Sequence, residues 1–549
     1  MLPTAFSWPL TILGRSRSAP LPGKSCRANW LMLGACLLGV LMPSMSAAQT
    51  VLTTATNNLI LVVGRPFSAT YTATPGTSAL SLVGTTPPGL TFSASVGLAT
   101  LAGTPTAAGN YTFTVRVYPP TFAAAATALP YSSPFSVVVA GAPTVSDLIL
   151  AVPYATPGAI DLTGAASGAL LTGLTFSVTS GPSHGTATLA GSRLTYTPTP
   201  GYTGSDGLAF TATAIGGTSS PAHLAITVGL PPDPSTNPGV KAVRDAGDTA
   251  IRHLQSGQVR NYESHFDDLA GDKHADCEGF AVWAGGLGGR GSVSGSSGFD
   301  FDTSGFTVGA DRCFGATTIG FGLGYGQDRS TFADSAGNSK GSASTAATYG
   351  SLRMTPDWRI NWMAGVGHVA FNYDRLIGEI DSHAHGQWSA TQWLSSASTR
   401  FDRHFGDLRL APYSRLDLAT VQVDSYAETA DTAYALRYQG QRVTTGAATV
   451  GLLAEYSHES EFGKLVPRVR IEYQHDFSHR EQLSVGYAAM PAGTVYSLPA
   501  DSLDRRLLMF ALGSDFYLRN GLSFGVLYLH QQANDSRANT LQLRAVQKF

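Results

Sequence analysis

From Gly279 to Phe549 apolar and polar residues alternate with period two, over segments of about ten residues or more. Val469, Ile471, Tyr473 and Phe477 fall on one side, and Arg468, Arg470, Glu472, Gln474 and Asp476 on the other. Leu508, Phe510, Leu512 and Phe516 oppose Asp515, and Leu408, Leu410, Leu416 and Leu418 oppose Arg409, Arg415 and Asp417. Ile319, Phe321, Leu323 and Tyr325 alternate with Gly320, Gly322, Gly324 and Gly326. The pattern predicts about twelve strands, near 279–291, 303–313, 316–328, 341–354, 358–373, 387–403, 407–424, 442–457, 463–477, 505–517, 521–532 and 540–549. Short connections (Cys313–Ala316, Thr355–Asp357, His404–Gly406, Arg519–Gly521) take turns with long ones (Ser292–Asp302, Asp328–Lys340, Leu376–Gly386, Ala427–Gln441). Ser478–Asp504 becomes one long loop, itself predicted to be a hairpin.

Two environments suit such strands. In a soluble sandwich the apolar face is core; in a membrane barrel it meets lipid and the polar face lines a lumen. Short turns on one rim and long loops on the other favour the barrel. An even strand count also brings Gly279 and Phe549 to the same rim, as closure requires. After Gln49 no run of about 18 apolar residues occurs, so no spanning helix is expected. Without one, only a closed barrel satisfies every backbone group in lipid.

The N-terminal half reads differently. Pro87-Pro88-Gly89-Leu90-Thr91-Phe92 and Leu101-Ala102-Gly103-Thr104-Pro105 are turn and strand signals, followed by the alternating strand Tyr111, Phe113, Val115. A second all-β stretch runs from Gly141 to Gly229, with Leu194-Thr195-Tyr196 and the turn Pro200-Gly201-Tyr202 before Leu208 and Phe210. Residues 230–239 are a Pro-rich linker. Val240–Leu269 has helical composition, but Lys241, Arg244, Asp245, Asp248, Arg252, Arg260, Glu263 and Asp267 are spread all round it. Such a helix is solvated or packed against polar walls.

Composition narrows the function. Charged residues are 13% of the chain and the net charge is -2. That excludes a basic nucleic-acid-binding surface. From Gln49 to Gly229 only Arg65, Arg116, Asp147, Asp161, Arg193 and Asp206 are clearly charged, too few acids for calcium clusters. The first 48 residues read as a secretory signal: Arg15, Arg17, Lys24 and Arg27, then the apolar Trp30–Met42, then cleavage between Ala48 and Gln49. Cys277 and Cys313 then remain, in an oxidising compartment and at the same rim of adjacent strands, and are expected to form a disulfide. No catalytic elbow accompanies His184 and His223 in the N-terminal half. His383 and His385 lack further spaced ligands. No enzyme activity, metal or cofactor is expected.

The N-terminal segments (49–140 and 141–229) resemble the Ig-like and cadherin-like modules of bacterial surface proteins. The helix, with Phe280-Ala281-Val282-Trp283, Gly305-Phe306-Thr307-Val308 and Ile319–Tyr325, resembles the autotransporter β-domain of type V secretion over about residues 240–549. The resemblance implies an all-β chain: two Ig-like sandwiches, a lumen helix at 240–270, and a 12-stranded antiparallel transmembrane barrel at 271–549. It implies that Arg415, Asp417, Arg468, Arg470 and Glu472 face the helix inside the lumen. An arginine facing mid-bilayer lipid would cost about 2–4 kcal/mol, which supports this facing. Leu541, Leu543, Ala545 and Phe549 resemble the terminal signal read by the outer-membrane barrel assembly machinery. Export through the Sec translocon, residence among outer-membrane lipids and surface display of a passenger that binds an unknown ligand follow as expectations. A pore or envelope-structural protein with Ig-like spacers is the alternative.

Overall fold

A computed structural model describes residues 51–53, 57–74, 79–118, 130–270, 277–295, 297–480, 482–498 and 505–549. The signal segment and its expected cleavage site at Ala48 and Gln49 lie outside them.

The first module packs two four-stranded sheets face to face. One is ordered Val51–Thr53, Phe67–Thr74, Leu98–Gly103, Leu90–Ser95; the other Asn58–Val62, Tyr131–Ala140, Gly109–Tyr118, Ala79–Gly84. Inward-facing Tyr71, Leu101, Phe113, Val115, Phe135 and Val137 form the core. The Pro-Pro-Gly signal has a steric cause. Gly89 has φ +87°, and a Cβ there would collide with the Thr104 carbonyl, while the Thr104 N–H donates to the Gly89 carbonyl at 3.0 Å.

The second module pairs Leu148–Val152, Ala222–Val228, Gly204–Ala214 and Thr175–Ser180 in one sheet. Gly158–Asp161, Arg193–Pro198 and Gly185–Ala190 form another. Leu194, Tyr196, Leu208, Phe210 and Leu224 fill the space between. In both modules an early strand runs parallel to the last one, Asn58–Val62 with Tyr131–Ala140 and Leu148–Val152 with Ala222–Val228. The two modules therefore share a plan that their sequences share only loosely.

The C-terminal half is a closed antiparallel barrel of twelve long strands. They are Cys277–Val293, Phe299–Gly315, Thr317–Phe332, Gly337–Thr355, Trp358–Ile377, Ser382–Phe401, Leu408–Val423, Gln441–Tyr456, Gly463–Asp476, Arg506–Leu518, Leu522–Gln532 and Ser536–Lys548. Each matches one expected strand, and the first pairs with the last, Trp283 opposite Val546. The periplasmic turns are tight: Gly315, Gly406 and Gly521 have φ of +60°, +63° and +83° there. The outer connections need correction. Three of the four expected long loops shrink to the stretches 294–298, 333–336 and 378–381, because their strands continue outward. The longest strands have 20 residues, about twice what a tilted strand needs to cross lipid. Only 424–440 and 477–505 remain long.

The lipid face carries Phe306, Ile319, Phe321, Leu323, Leu416, Leu418, Ile471, Leu508, Phe510, Leu512, Leu541 and Leu543, all exposed on the isolated chain. Arg409, Arg415, Arg468, Arg470, Glu472 and Asp515 on the same strands are buried inside. Among the described residues no helix is long and apolar enough to cross a membrane.

One helix, Pro238–Ala270, precedes the barrel and fills its lumen. Asn237 caps it, its side-chain oxygen accepting from Gly239 N at 2.9 Å and Val240 N at 3.3 Å, with Pro238 at the first helical position. At about 1.5 Å per residue its 33 residues extend about 50 Å, enough to run from the outer mouth to the periplasmic rim.

Candidate functional site

The functional centre is the lumen itself, where the helix meets two unlike walls. Its backbone lies against the first five strands. That wall is built of small residues. A Cβ at Gly322 would stand 2.6 Å from the Tyr262 hydroxyl, one at Gly326 2.9 Å from Leu254, and one at Gly324 would collide with Gln258. Gly322, Gly324 and Gly326 are therefore the groove in which the helix lies, while the space at Gly320 is filled by Tyr349 of the neighbouring strand. Gly285 beside Asn261 and Gly341 beside Ala250 extend it.

Across the lumen the wall is built of long cations. Near the periplasmic rim Asp267 of the helix receives Arg400, Arg470 and, at 3.4 Å, Arg468. Asp268 receives Lys548 at 3.0 Å, Arg544 at 3.6 Å and the Ser523 hydroxyl at 3.2 Å. Asp515 links the two clusters, 3.1 Å from Arg468 and 3.0 Å from Arg544. Two turns up, Arg260 lies 3.6 Å from Glu472, which also meets Arg415 at 3.7 Å and Arg470 at 3.6 Å. An arginine side chain is long enough to bridge the gap left by a helix seated off-centre. On the small-residue side, His265 Nε2 and the Tyr349 hydroxyl both reach Asp311, at 2.6 and 2.9 Å, and the His265 ring stacks on Trp283 with centroids 4.6 Å apart.

All five expected lumen residues face inward, but their roles differ. Arg468 and Arg470 bind the helix through Asp267. Glu472 binds it through Arg260. Arg415 and Asp417 pair with each other at 2.9 Å, and Ser396 holds Asp417. Asp417 therefore braces the wall rather than the helix. It also lines a cavity of about 400 Å³ beside the helix, with Arg252, His253, Arg415 and Asp476. Sequence reading passed over Arg400, Arg544, Asp268, Asp311 and His265. Arg400, Arg544 and Asp311 sit at inward positions of the same alternation, so the signal was present. The helix residues carried none, since they are ordinary polar residues until the wall surrounds them.

At the terminal strand Leu541 and Leu543 face lipid, Ala545 is half-buried and Phe549 is exposed. Phe549 and Phe280 exchange both backbone hydrogen bonds, closing the seam. Cys313 is disulfide-bonded. Cys277, its expected partner, pairs through its backbone with Gly315, and its side chain lies outside what is described.

The two histidines of the second module each contact residues of that module. His223 N donates to Asp147 at 2.7 Å. His184 stacks on Tyr202 with centroids 4.1 Å apart, beside Asp206. Burial pushes the Asp206 carboxyl up, but N–H groups of Ser183, His184 and Gly207 and the Tyr196 hydroxyl, each at 2.9 Å, hold it below the usual carboxylate range. His385 Nδ1 lies 3.0 Å from Asp374. Among the described residues no three His, Cys, Asp or Glu side chains gather as metal ligands would.

A lipid-facing apolar belt, a polar lumen and a helix threaded from the outer mouth define an outer-membrane barrel filled by its own preceding segment. Residues 282–528 match the family described as autotransporter beta-domain, and residues 140–227 match the bacterial Ig domain. The chain therefore carries an autotransporter β-domain, resident in the outer membrane, and a bacterial Ig domain before it. Similar solved structures include the translocator domain of NalP from Neisseria meningitidis (17% identity, TM-score 0.45, 56% of this chain and 99% of that one). The β-domain of the Bordetella autotransporter BrkA is 14% identical (TM-score 0.41, 50% and 100%). The transport unit of AIDA-I from Escherichia coli is also 14% identical (TM-score 0.36, 49% and 90%). No curated protein sequence matches.

Proposed function

We propose that this chain exports its own two β-sandwich modules and holds them on the cell surface, where they serve in adhesion or ligand binding without enzymatic chemistry. The observation that carries the reading is the course of the chain. It leaves the second module at the outer mouth, enters the lumen at Asn237 and reaches the periplasmic rim near Asp267. A module attached to the outer end of such a helix stands outside. The acid- and base-poor passenger has exposed sheet faces to offer a partner and, among its described residues, no metal cluster. Delivery would use the Sec translocon, and insertion the barrel assembly machinery reading the strand that ends in Leu541, Leu543, Ala545 and Phe549.

Protease treatment of intact cells tests this. Residues 51–229 are expected to be lost from the outside while the barrel stays whole. Modules cut only after the outer membrane is permeabilised would place them in the periplasm and favour the spacer reading.

A further inference from the structure

Described segments of the two outer loops that stay long form a sheet of their own. Tyr426–Ala427, Leu436–Tyr438, Leu483–Tyr487 and Tyr496–Leu498 pair into a separate four-stranded sheet over the barrel mouth. Arg375, at the outer end of the fifth barrel strand, pins this sheet through Glu428. Its Nε and Nη2 donate to that carboxylate at 2.9 and 2.6 Å. The same carboxylate accepts from Leu436 N at 2.9 Å, Tyr373 at 3.2 Å and Tyr438 at 3.3 Å. A buried carboxylate with five donors is fully satisfied, so the platform has a defined geometry.

Into this platform reaches a residue of the second Ig module. Tyr154 is 2% exposed. Its hydroxyl donates to the Ala433 carbonyl at 3.1 Å, and its own carbonyl accepts from the Tyr434 hydroxyl at 2.7 Å. Its ring packs edge-on against Tyr434 and tilted against Tyr487, both with centroids 5.4 Å apart. Tyr487 in turn donates to the carbonyl of Pro232 in the linker at 2.7 Å. Gly201 of the module, at φ +83°, lies so close to Ala489 that a Cβ would collide with its carbonyl. Tyr154 shares one apolar core with Val240, Val243 and Ala246 of the helix and Phe371 and Tyr373 of the barrel.

This core has parts from four places: module, linker helix, barrel wall and outer loops. Tyr154 and the helix reach their places together only when nothing else occupies the lumen. We propose that the outer loops, Tyr154 and residues 231–237 form a latch that closes only after the modules have crossed, sealing the outer mouth and fixing the stance of the second module. The proposal rests on surface display, and its test separates the two. Burial in the socket pushes the Tyr154 hydroxyl up to about 12, so the latch stays neutral and closed across the ordinary pH range.

The test uses full-length protein on intact cells, comparing the native chain with Tyr154→Ala and, from the loop side, Tyr434→Ala. Proteinase K cutting within 230–237 is followed by the barrel fragment it releases, and amide exchange of 436–438 and 483–487 is followed in the purified chains. Both variants are expected to display the modules as the native chain does, but with the linker cut at least tenfold faster and the loop amides exchanging faster. If the native linker is cut as fast as the variants', or the loop amides exchange alike in all three, the latch is refuted. Modules shielded on intact native cells would instead refute display. A Tyr154 variant that fails to reach the membrane leaves the Tyr434 variant to decide, because that residue lies in a loop the module meets only at the end.

Discussion

At the scale of single residues, Asp267 is the side chain on which most converges. Three arginines from the sixth and ninth strands meet one buried carboxylate inside the lumen. Removing one partner of a buried charge pair costs about 3–5 kcal/mol, because the cations left behind stay desolvated. Asp267→Asn is therefore expected to lower the temperature at which the purified barrel unfolds in detergent by several degrees; an unchanged midpoint would remove the clasp from the account. Asp206 governs a different property. Its carboxyl is held below the usual range, so the stability it contributes is complete above about pH 4 and disappears as pH falls through its folded value. The isolated second module is expected to melt at a constant temperature from neutrality to about pH 5 and at falling temperatures below about pH 4. In Asp206→Asn most of that acid dependence should vanish, with a lower melting temperature throughout. A full acid dependence in the variant would assign it to other carboxylates.

The helix and the strands answer to different rules. The strands were legible because their period of two survives any environment that has two faces, and every barrel strand was found within a few residues. Their outer ends were not, since past the lipid band both faces can be polar or apolar and the alternation loses its contrast. Gly337–Thr355 and Trp358–Ile377 run on for that reason. The helix was visible by composition but not by its moment. It has no apolar stripe because it is enclosed on every side, by glycines below Leu254, Gln258 and Tyr262 and by arginines opposite. Its upper half joins an apolar core, and its lower half packs Val259, Tyr262 and Phe266 into a second apolar core on one side while meeting the charged cluster on the other. An element with that surrounding is expected to be the seal. Deleting 238–270 should raise single-channel conductance in planar bilayers severalfold over the native chain, and equal conductance would mean the wall alone closes the pore.

The whole molecule is two sandwiches, a helix and a barrel joined through one socket at the outer mouth. Alternation and the absence of a long apolar run were enough to set out the membrane barrel and its strand count, while the facing of Arg415, Asp417, Arg468, Arg470 and Glu472 toward a lumen helix and the Ig-like build of what precedes it rested on the resemblance of those motifs to known modules. These are local properties: they depend on which face a residue takes, and the face follows from its position in the strand. The tertiary structure alone decided which charges meet. Asp267 could be assigned to Arg400, Arg468 and Arg470, or Tyr154 to Ala433 and Tyr434, only when strands far apart in sequence closed into a ring. The barrel's curvature sets those neighbours, and curvature is a property of all twelve strands together rather than of any one segment.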